Sequence, residues 1–354
     1  MTSFTATREP SSPIVQTGTP LTTAPGIRRL SLEHDDLGFL EQAAQLLGFR
    51  SQFLQLEAGT NPSRMELLDG GGLSLVRLAF SRRTFITGPK PGGRIFCNLT
   101  LQASQQQPRV HGRRLDADTL VGFDPQQEIH FQAPAGHRFA VLLVEEALFW
   151  QTAATMGRRD LEPDTLRANA FRTHPRYAPE LRLLLNRLFD AGAQGTSGKL
   201  ALEARRHQEL HDNLLPLLIA AIETPHHHHQ LQISRNERLQ IANAVQELMR
   251  ERLADPLSLR DLYEAVPTSR RTLAYAFDEV FGLPPMRFLR LHRLRCARRA
   301  LTEARAGQTM VIAIAQRYGF SSASHFSRAY RQHFGESPLQ TLTYNQKQLD
   351  WSSS

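Results

Sequence analysis

Two stretches of this chain repeat one pattern 53 positions apart, and that offset constrains the fold more than any other feature. Ser322, Phe326, Ala329, Tyr330, Phe334, Gly335 and Pro338 are matched in order by Ser269, Leu273, Ala276, Phe277, Phe281, Gly282 and Pro285. Matches kept in register at a fixed offset argue that one supersecondary unit occurs twice. The later copy reads as two short helices around a tight turn. The first carries Ile314 and Ala315 on its inner face and ends at Gly319, where a positive φ is tolerated. Ser322 takes the N-cap position of the second, its hydroxyl placed to accept from the next turn. Phe326, Tyr330 and Phe334 make one apolar stripe, and Ser324, His325, Ser327, Arg328 and Arg331 occupy the other face. A short helix of this kind fits the recognition helix of a helix-turn-helix, which lies in the DNA major groove. In the earlier copy the leading helix runs from Leu259 to Val266, with Leu259, Leu262 and Val266 on one face.

The stretch MRFLRLHRLRCARRALTEA joins the copies. Phe288, Leu291, Leu294 and Leu301 give it a helical stripe, and Pro284 and Pro285 mark its start. From Met286 to Ala304 such a helix is about 28 Å long, against about 34 Å for one turn of B-DNA. Two recognition helices held by this rod suit successive major grooves on one DNA face. Charge is distributed accordingly. Of a formal net charge of +8, residues 234–345 carry +7, from 17 arginines, no lysine and 10 acidic side chains. A localised basic excess is what a nucleic-acid footprint requires, and arginine suits bidentate contacts to guanine and phosphate.

These residues carry a resemblance. The segment from about Ser234 to Thr343 resembles the DNA-binding domain of the AraC/XylS family of transcription regulators. The resemblance rests on Leu262 to Val266, Ser269 to Leu273, the Phe281-Gly282-Leu283-Pro284-Pro285 turn, Ile314 to Phe320, Ser324 to Tyr330 and Phe334 to Pro338. One departure concerns the last backbone anchor. Thr341 and Leu342 stand where family members usually have an aromatic and an arginine. The resemblance implies double-stranded DNA and RNA polymerase as partners, a small-molecule effector, and activation as the commoner outcome. It also implies a cupin-like ligand-sensing barrel ahead of the DNA-binding domain. The order of elements there is loosely similar to the branch typified by the ethanolamine-operon regulator.

Ahead of that domain, residues 1–28 are rich in Thr, Ser, Pro and Gly and read as a disordered leader. Leu37 to Phe49 has Leu40, Ala44 and Leu47 at helical spacing. From Arg50 to Val144 the period is two, as in Ile95, Cys97, Leu99 and Leu101 or Phe139, Val141 and Leu143. Gly and Pro clusters break these strands apart, which suggests a sandwich or barrel. A helix from Glu145 to Gly157 follows, then stripes at Leu181, Leu184, Leu185 and Leu188 and at Leu200, Leu210, Leu214, Leu217, Leu218 and Ile222. Such a hairpin must bury its apolar face, either against the barrel or against a second copy. In the resembling family these helices commonly form the dimer interface. Residues 225–233, with His226 to His229, read as a polar tether, because adjacent histidines in a loop lack the fixed geometry of a metal site.

The expected fold is α+β and multidomain. A β-rich cupin-like barrel at 29–158 and a helical hairpin at 159–224 precede two helix-turn-helix motifs joined by a long helix at 234–345, with a tail at 346–354. For the first recognition helix the expected DNA contacts are Ser269, Arg270, Arg271, Ala274 and Tyr275. For the second they are Ser322, Ala323, Ser324, His325, Ser327 and Arg328. Arg293, Arg295, Arg298 and Arg299 on the joining helix read as scaffold or backbone-steering charges. Arg77, Arg94 and His111 are polar candidates in the sensor. Cys97 and Cys296 read as half-buried filler, too few for a disulfide framework and compatible with a reducing cytoplasm. There is no apolar run long enough for a membrane span. A cupin-type metalloenzyme fused to a DNA-binding domain would need clustered ligands, and His111, His130 and His137 lack that spacing. No cofactor, metal or catalytic residue is expected. A repressor and a ligand-independent DNA binder are the alternative readings.

Overall fold

The computed structural model describes residues 28–190, 208–224, 237–304 and 310–343. The expected leader before Arg28, Leu200 of the second stripe, the 225–233 tether with its histidines and the 346–354 tail lie outside the described residues.

The chain opens with β1 (Arg28–His34), α1 (Leu37–Gln45), β2 (Gln52–Gln55), β3 (Ser63–Asp69), β4 (Leu73–Phe80), β5 (Thr84–Gly88) and β6 (Arg94–Gln102). Then come β7 (Arg109–Val110), β8 (Arg113–Arg114), β9 (Thr119–Val121), β10 (Ile129–Ala133) and β11 (Arg138–Glu145). The strands give way to α2 (Glu146–Thr155), α3 (Pro163–Leu166), β12 (Ala170–Thr173) and α4 (Ala178–Asp190). A π-helical turn (Glu209–Leu214) runs into α5 (Leu215–Ala221) and β13 (Ile222–Glu223). The C-terminal domain is helical: α6 (Glu237–Glu251), α7 (Leu259–Ala265), α8 (Arg270–Phe281), α9 (Pro285–Glu303), α10 (Val311–Arg317) and α11 (Ala323–Phe334).

The strands form two antiparallel sheets, ordered β1-β3-β4-β11-β6-β9-β12-β13 and β2-β5-β10-β7-β8. No ladder among the described residues joins them, so hydrogen bonding does not close the expected cupin-like barrel. Phe53, Phe80, Phe131 and Phe139 are buried between the sheets. The eight-stranded sheet is covered on both faces. Ile95, Cys97, Leu99 and Leu101 of β6 meet the helices behind, and Phe96 enters the space between the sheets. Cys97 is therefore fully buried, not half-buried. Its thiol is pushed well above the usual range by that burial.

The helical hairpin buries its stripe against its own sheet. Leu181, Leu184, Leu185, Leu188, Leu214 and Leu218 share one core with β4, β6 and β11. The 159–224 segment packs on the β-rich part, one of the two expected arrangements, and supplies two strands, since β12 pairs with β9 and β13. Arg77, beneath α4, pairs with Glu66 and with Asp190 at 2.7 Å, and its guanidinium lies 4.8 Å from the centre of the Phe189 ring.

The outer face of the five-stranded sheet packs on the helical domain. Leu54, Leu56 and Phe85 join the core built on Phe277, Phe281, Phe288 and Tyr330. Two arginines of α9 reach across. Arg295 pairs with Glu41 at 2.7 Å and donates to the Phe53 carbonyl at 3.0 Å. Arg298 pairs with Asp36 at 3.1 Å and Glu336 at 2.9 Å, over the Phe334 ring. Burial alone would raise the Asp36 carboxyl. Arg298, the Gly38 N–H and His34 outweigh it and hold the group below its usual range. Arg293 instead donates to the Leu253 and Asp255 carbonyls within the helical domain, and Arg299 to Glu303 on its own helix.

Candidate nucleic-acid interface

Each motif begins its second helix in the same way. Ser269 accepts from the Thr272 N–H at 3.0 Å at the start of α8, and Ser322 from the His325 N–H at 3.4 Å at the start of α11. Each cap satisfies one of the N–H groups that a helix start leaves open. Both helices end in a left-handed glycine, Gly282 at φ 64° and Gly335 at φ 81°. Gly319 (φ 75°) turns the chain between α10 and α11, and a Cβ there would lie 2.8 Å from the Arg293 guanidinium carbon. Joining the two motifs, the 19 residues of α9 span about 28 Å.

Packing divides both helices into two faces. On α8, Leu273, Ala276, Phe277, Val280 and Phe281 are buried, and Arg270, Arg271, Ala274 and Tyr275 are exposed. The Arg271 guanidinium lies over the Tyr275 ring, 5.4 Å from its centre, and donates to its hydroxyl at 3.2 Å. On α11, Phe326, Ala329, Tyr330, His333 and Phe334 are buried. Ala323, Ser324, His325 and Arg328 are exposed, with Ser322 and Ser327 half-buried. Every expected contact residue thus lies on an outer face or at a helix start. Among the described residues, no ion pair engages Arg270, Arg271 or Arg328, so their charge remains available to an outside partner.

One groove that the sequence reading did not anticipate lies beside the start of α11. Arg290, Arg293, Ser321, Ser322, His325 and Arg328 line a volume of about 490 Å³. A capped helix start with converging arginines suits a phosphate oxygen. Arg290 is the missed residue; its signal was an exposed cation on α9 next to the buried Leu289.

The β-rich domain holds the opposite ends of both helices. For α8, Arg109 donates to the Glu279 carbonyl at 2.9 Å and Gln132 to the Phe281 carbonyl at 3.0 Å. For α11, the Gly59 N–H donates to the His333 carbonyl at 2.9 Å and Gln55 to the same carbonyl at 3.3 Å. C-terminal carbonyls without helical partners are satisfied here by another domain. The exposed faces of α8 and α11 stay open with that domain docked; Tyr275 is 51% exposed.

Histidines line the seam. His130 is buried between Phe85 and Phe281, and His111 stacks on it with ring centres 5.3 Å apart. Burial holds His130 well below the ordinary range and His111 at about 4, Lys90 adding to the latter. His137 lies elsewhere, beside Phe131 and Phe139. No group of three or more His, Cys, Asp or Glu side chains able to hold a metal occurs among the described residues. Thr341 and Leu342, the departure noted in the sequence, are both buried. Thr341 shares a 2.8 Å hydrogen bond with the Tyr330 hydroxyl.

A family profile described as a helix-turn-helix domain matches residues 262–344. Relatives match over part of the chain. The XylDLEGF operon transcriptional activator 2 of Pseudomonas putida is 31% identical over 99 residues, which are 28% of this chain and 63% of that protein. A probable thc operon regulatory protein of Rhodococcus erythropolis is 37% identical over 87 residues, 25% of this chain and 26% of that one. The chain thus spans less than two thirds of the length of these relatives. A solved structure of a probable AraC family transcriptional regulator from Rhodopseudomonas palustris is 33% identical. That match covers 30% of this chain and 97% of that one, with a TM-score of 0.28.

Proposed function

We propose that this chain, whose residues 262–344 match the helix-turn-helix profile and whose relatives include XylDLEGF operon activators, is a sequence-specific DNA-binding transcription regulator of AraC/XylS type, acting chiefly as an activator. The observation that carries this reading is the pair of capped helices, α8 and α11, each with an exposed cationic face, joined by one rod. The two helices enter successive major grooves. Arg270, Arg271 and Arg328 read base edges or phosphate. Ser269 and Ser322 place helix starts against the backbone, and Ala274, Tyr275, Ala323, Ser324, His325 and Ser327 complete the contact surface.

Regulation in this proposal runs through the docked β-rich domain, which grips α9 and the far ends of both recognition helices. A small-molecule effector that alters this grip alters how the two helices present themselves to DNA and to RNA polymerase in the cytoplasm. Among the described residues, no helix is long and apolar enough to cross a membrane. The hairpin expected to support a homodimer has its stripe covered by its own sheet. One chain supplying both motifs is therefore the simplest reading unit, and a dimer in sedimentation at micromolar protein, with and without DNA, would overturn that part.

Gel-shift binding of the full chain to DNA flanking its own gene, across a salt series, tests the proposal. The expected outcome is a sequence-selective shift whose log–log salt slope is about −0.9 per neutralised phosphate. Binding that ignores sequence at every salt concentration would count against it.

A further inference from the structure

A second cleft, of about 490 Å³, lies beside the β7–β8 hairpin, away from the reading faces. Arg83, Arg109 and Arg114 line it, with the glutamines at 105–107 and Gln132; no carboxylate does. Of the nearby acids, Glu57 pairs with Arg83 itself at 3.6 Å, Asp116 accepts from Gln107 at 3.3 Å, and Glu279 pairs with Arg238 at 2.7 Å. Arg109 and Arg114 have no ion pair among the described residues. Arg83 Nε is buried and makes no hydrogen bond. Burial lowers the pKa of this guanidinium, and Arg287 and Arg109 add to the effect, despite Glu57. Positive charge is concentrated here beyond what its surroundings neutralise, the condition under which an anion is drawn in.

We propose that this cleft binds a small polar anion, a carboxylate or phosphate bearing hydroxyl groups. A guanidinium presents parallel N–H donors to two oxygens of one anion. The glutamine amides donate and accept, which matches hydroxyls. Pro134 is the one apolar side chain in the lining, so an acid with a large apolar body gains little here. Arg109 and Gln132 line the cleft and also hold the last carbonyls of α8. An anion that draws on Arg109 therefore loosens the grip on the first recognition helix. The coupling to DNA rests on the function proposed above; the binding does not.

The test is calorimetric titration of the full chain with inorganic phosphate, glycerol 3-phosphate and gluconate, with chloride holding ionic strength constant. R114Q removes an exposed guanidinium that has no ion pair among the described residues. R64Q alters an exposed arginine of the other sheet. The expected result is saturable binding of at least one probe, weakened at least about tenfold in R114Q and unchanged in R64Q. No saturable binding of any probe, or equal affinities in the native chain and R114Q, would overturn the site. Displacement of phosphate by a random duplex would make the cleft a DNA-backbone contact and overturn it too. Operator binding by the same variants is scored separately, so a failed operator shift with intact phosphate binding counts against the DNA reading alone.

Discussion

The contact between Arg295 and Glu41 offers a quantitative test of whether the two domains form one mechanical unit. Arg295 meets Glu41 through Nη2 at 2.7 and 2.9 Å and through Nε at 3.2 Å, with side-chain exposures of 14% and 8%. Glu41 also accepts from the Phe53 N–H. Removing one member of such a pair strands a buried charge, at a cost of about 3–5 kcal/mol. E41Q leaves the guanidinium stranded, and R295M leaves the carboxylate with only its N–H partner. The double variant leaves neither. If the pair acts as one unit, each single variant loses about 3 kcal/mol. The double variant then loses about 3 rather than 6, a coupling of about 3 kcal/mol. Urea unfolding of the full chain followed by circular dichroism measures all three. The same cycle on Arg64 and Glu33, exposed by 57% and 60%, should give less than about 1 kcal/mol. Additive losses for Glu41 and Arg295, to within about 0.5 kcal/mol, would refute the reasoning.

Other predictions follow from the same contacts. His111 and His333 are held at about 4 by burial, against an ordinary value of 6.5, and His130 lies well below that value. The unfolded chain therefore takes up these protons first, so stability is full well above pH 6.5 and is lost as pH falls through about 6.5 towards 4. The urea midpoint should drop between pH 7.5 and pH 5, and a flat profile would contradict the buried, neutral assignment. At Gly122 (φ 115°) an added Cβ would clash with two carbons of the Phe96 ring. G122A should destabilise the β-rich domain by at least about 2 kcal/mol, through overpacking and backbone strain together. A melting temperature equal to that of the native chain would contradict this packing.

The paired helix-turn-helix unit was legible because its signals are local. Ser269 with Gly282, and Ser322 with Gly335, bracket α8 and α11 in the sequence as they do in space, and the stripe between them has a helical period. The β-rich domain was legible only in outline. The four residues of β12 and two of β13 are too short to show a period, and their pairing is set by partners far along the chain. The domain seam was not legible for a related reason. His130 and Gln132 alternate with Ile129, Phe131 and Ala133 like a solvent face, yet they are buried against another domain. Arg295 and Arg298, three apart on a basic helix, read as scaffold or backbone-steering charges, and only Glu41 and Asp36, more than 250 positions away, decide for the scaffold role.

Base reading by α8 is the most direct point of test. Fluorescence anisotropy would compare the native chain with R271A on a duplex selected by the protein from a random pool and on a scrambled duplex. A bidentate arginine–guanine contact is worth about 1–3 kcal/mol. R271A should therefore lose about 5- to 150-fold on the selected duplex and change little on the scrambled one. Equal loss on both would make Arg271 a backbone contact, and a native chain that cannot tell the two duplexes apart would contradict sequence reading by this domain.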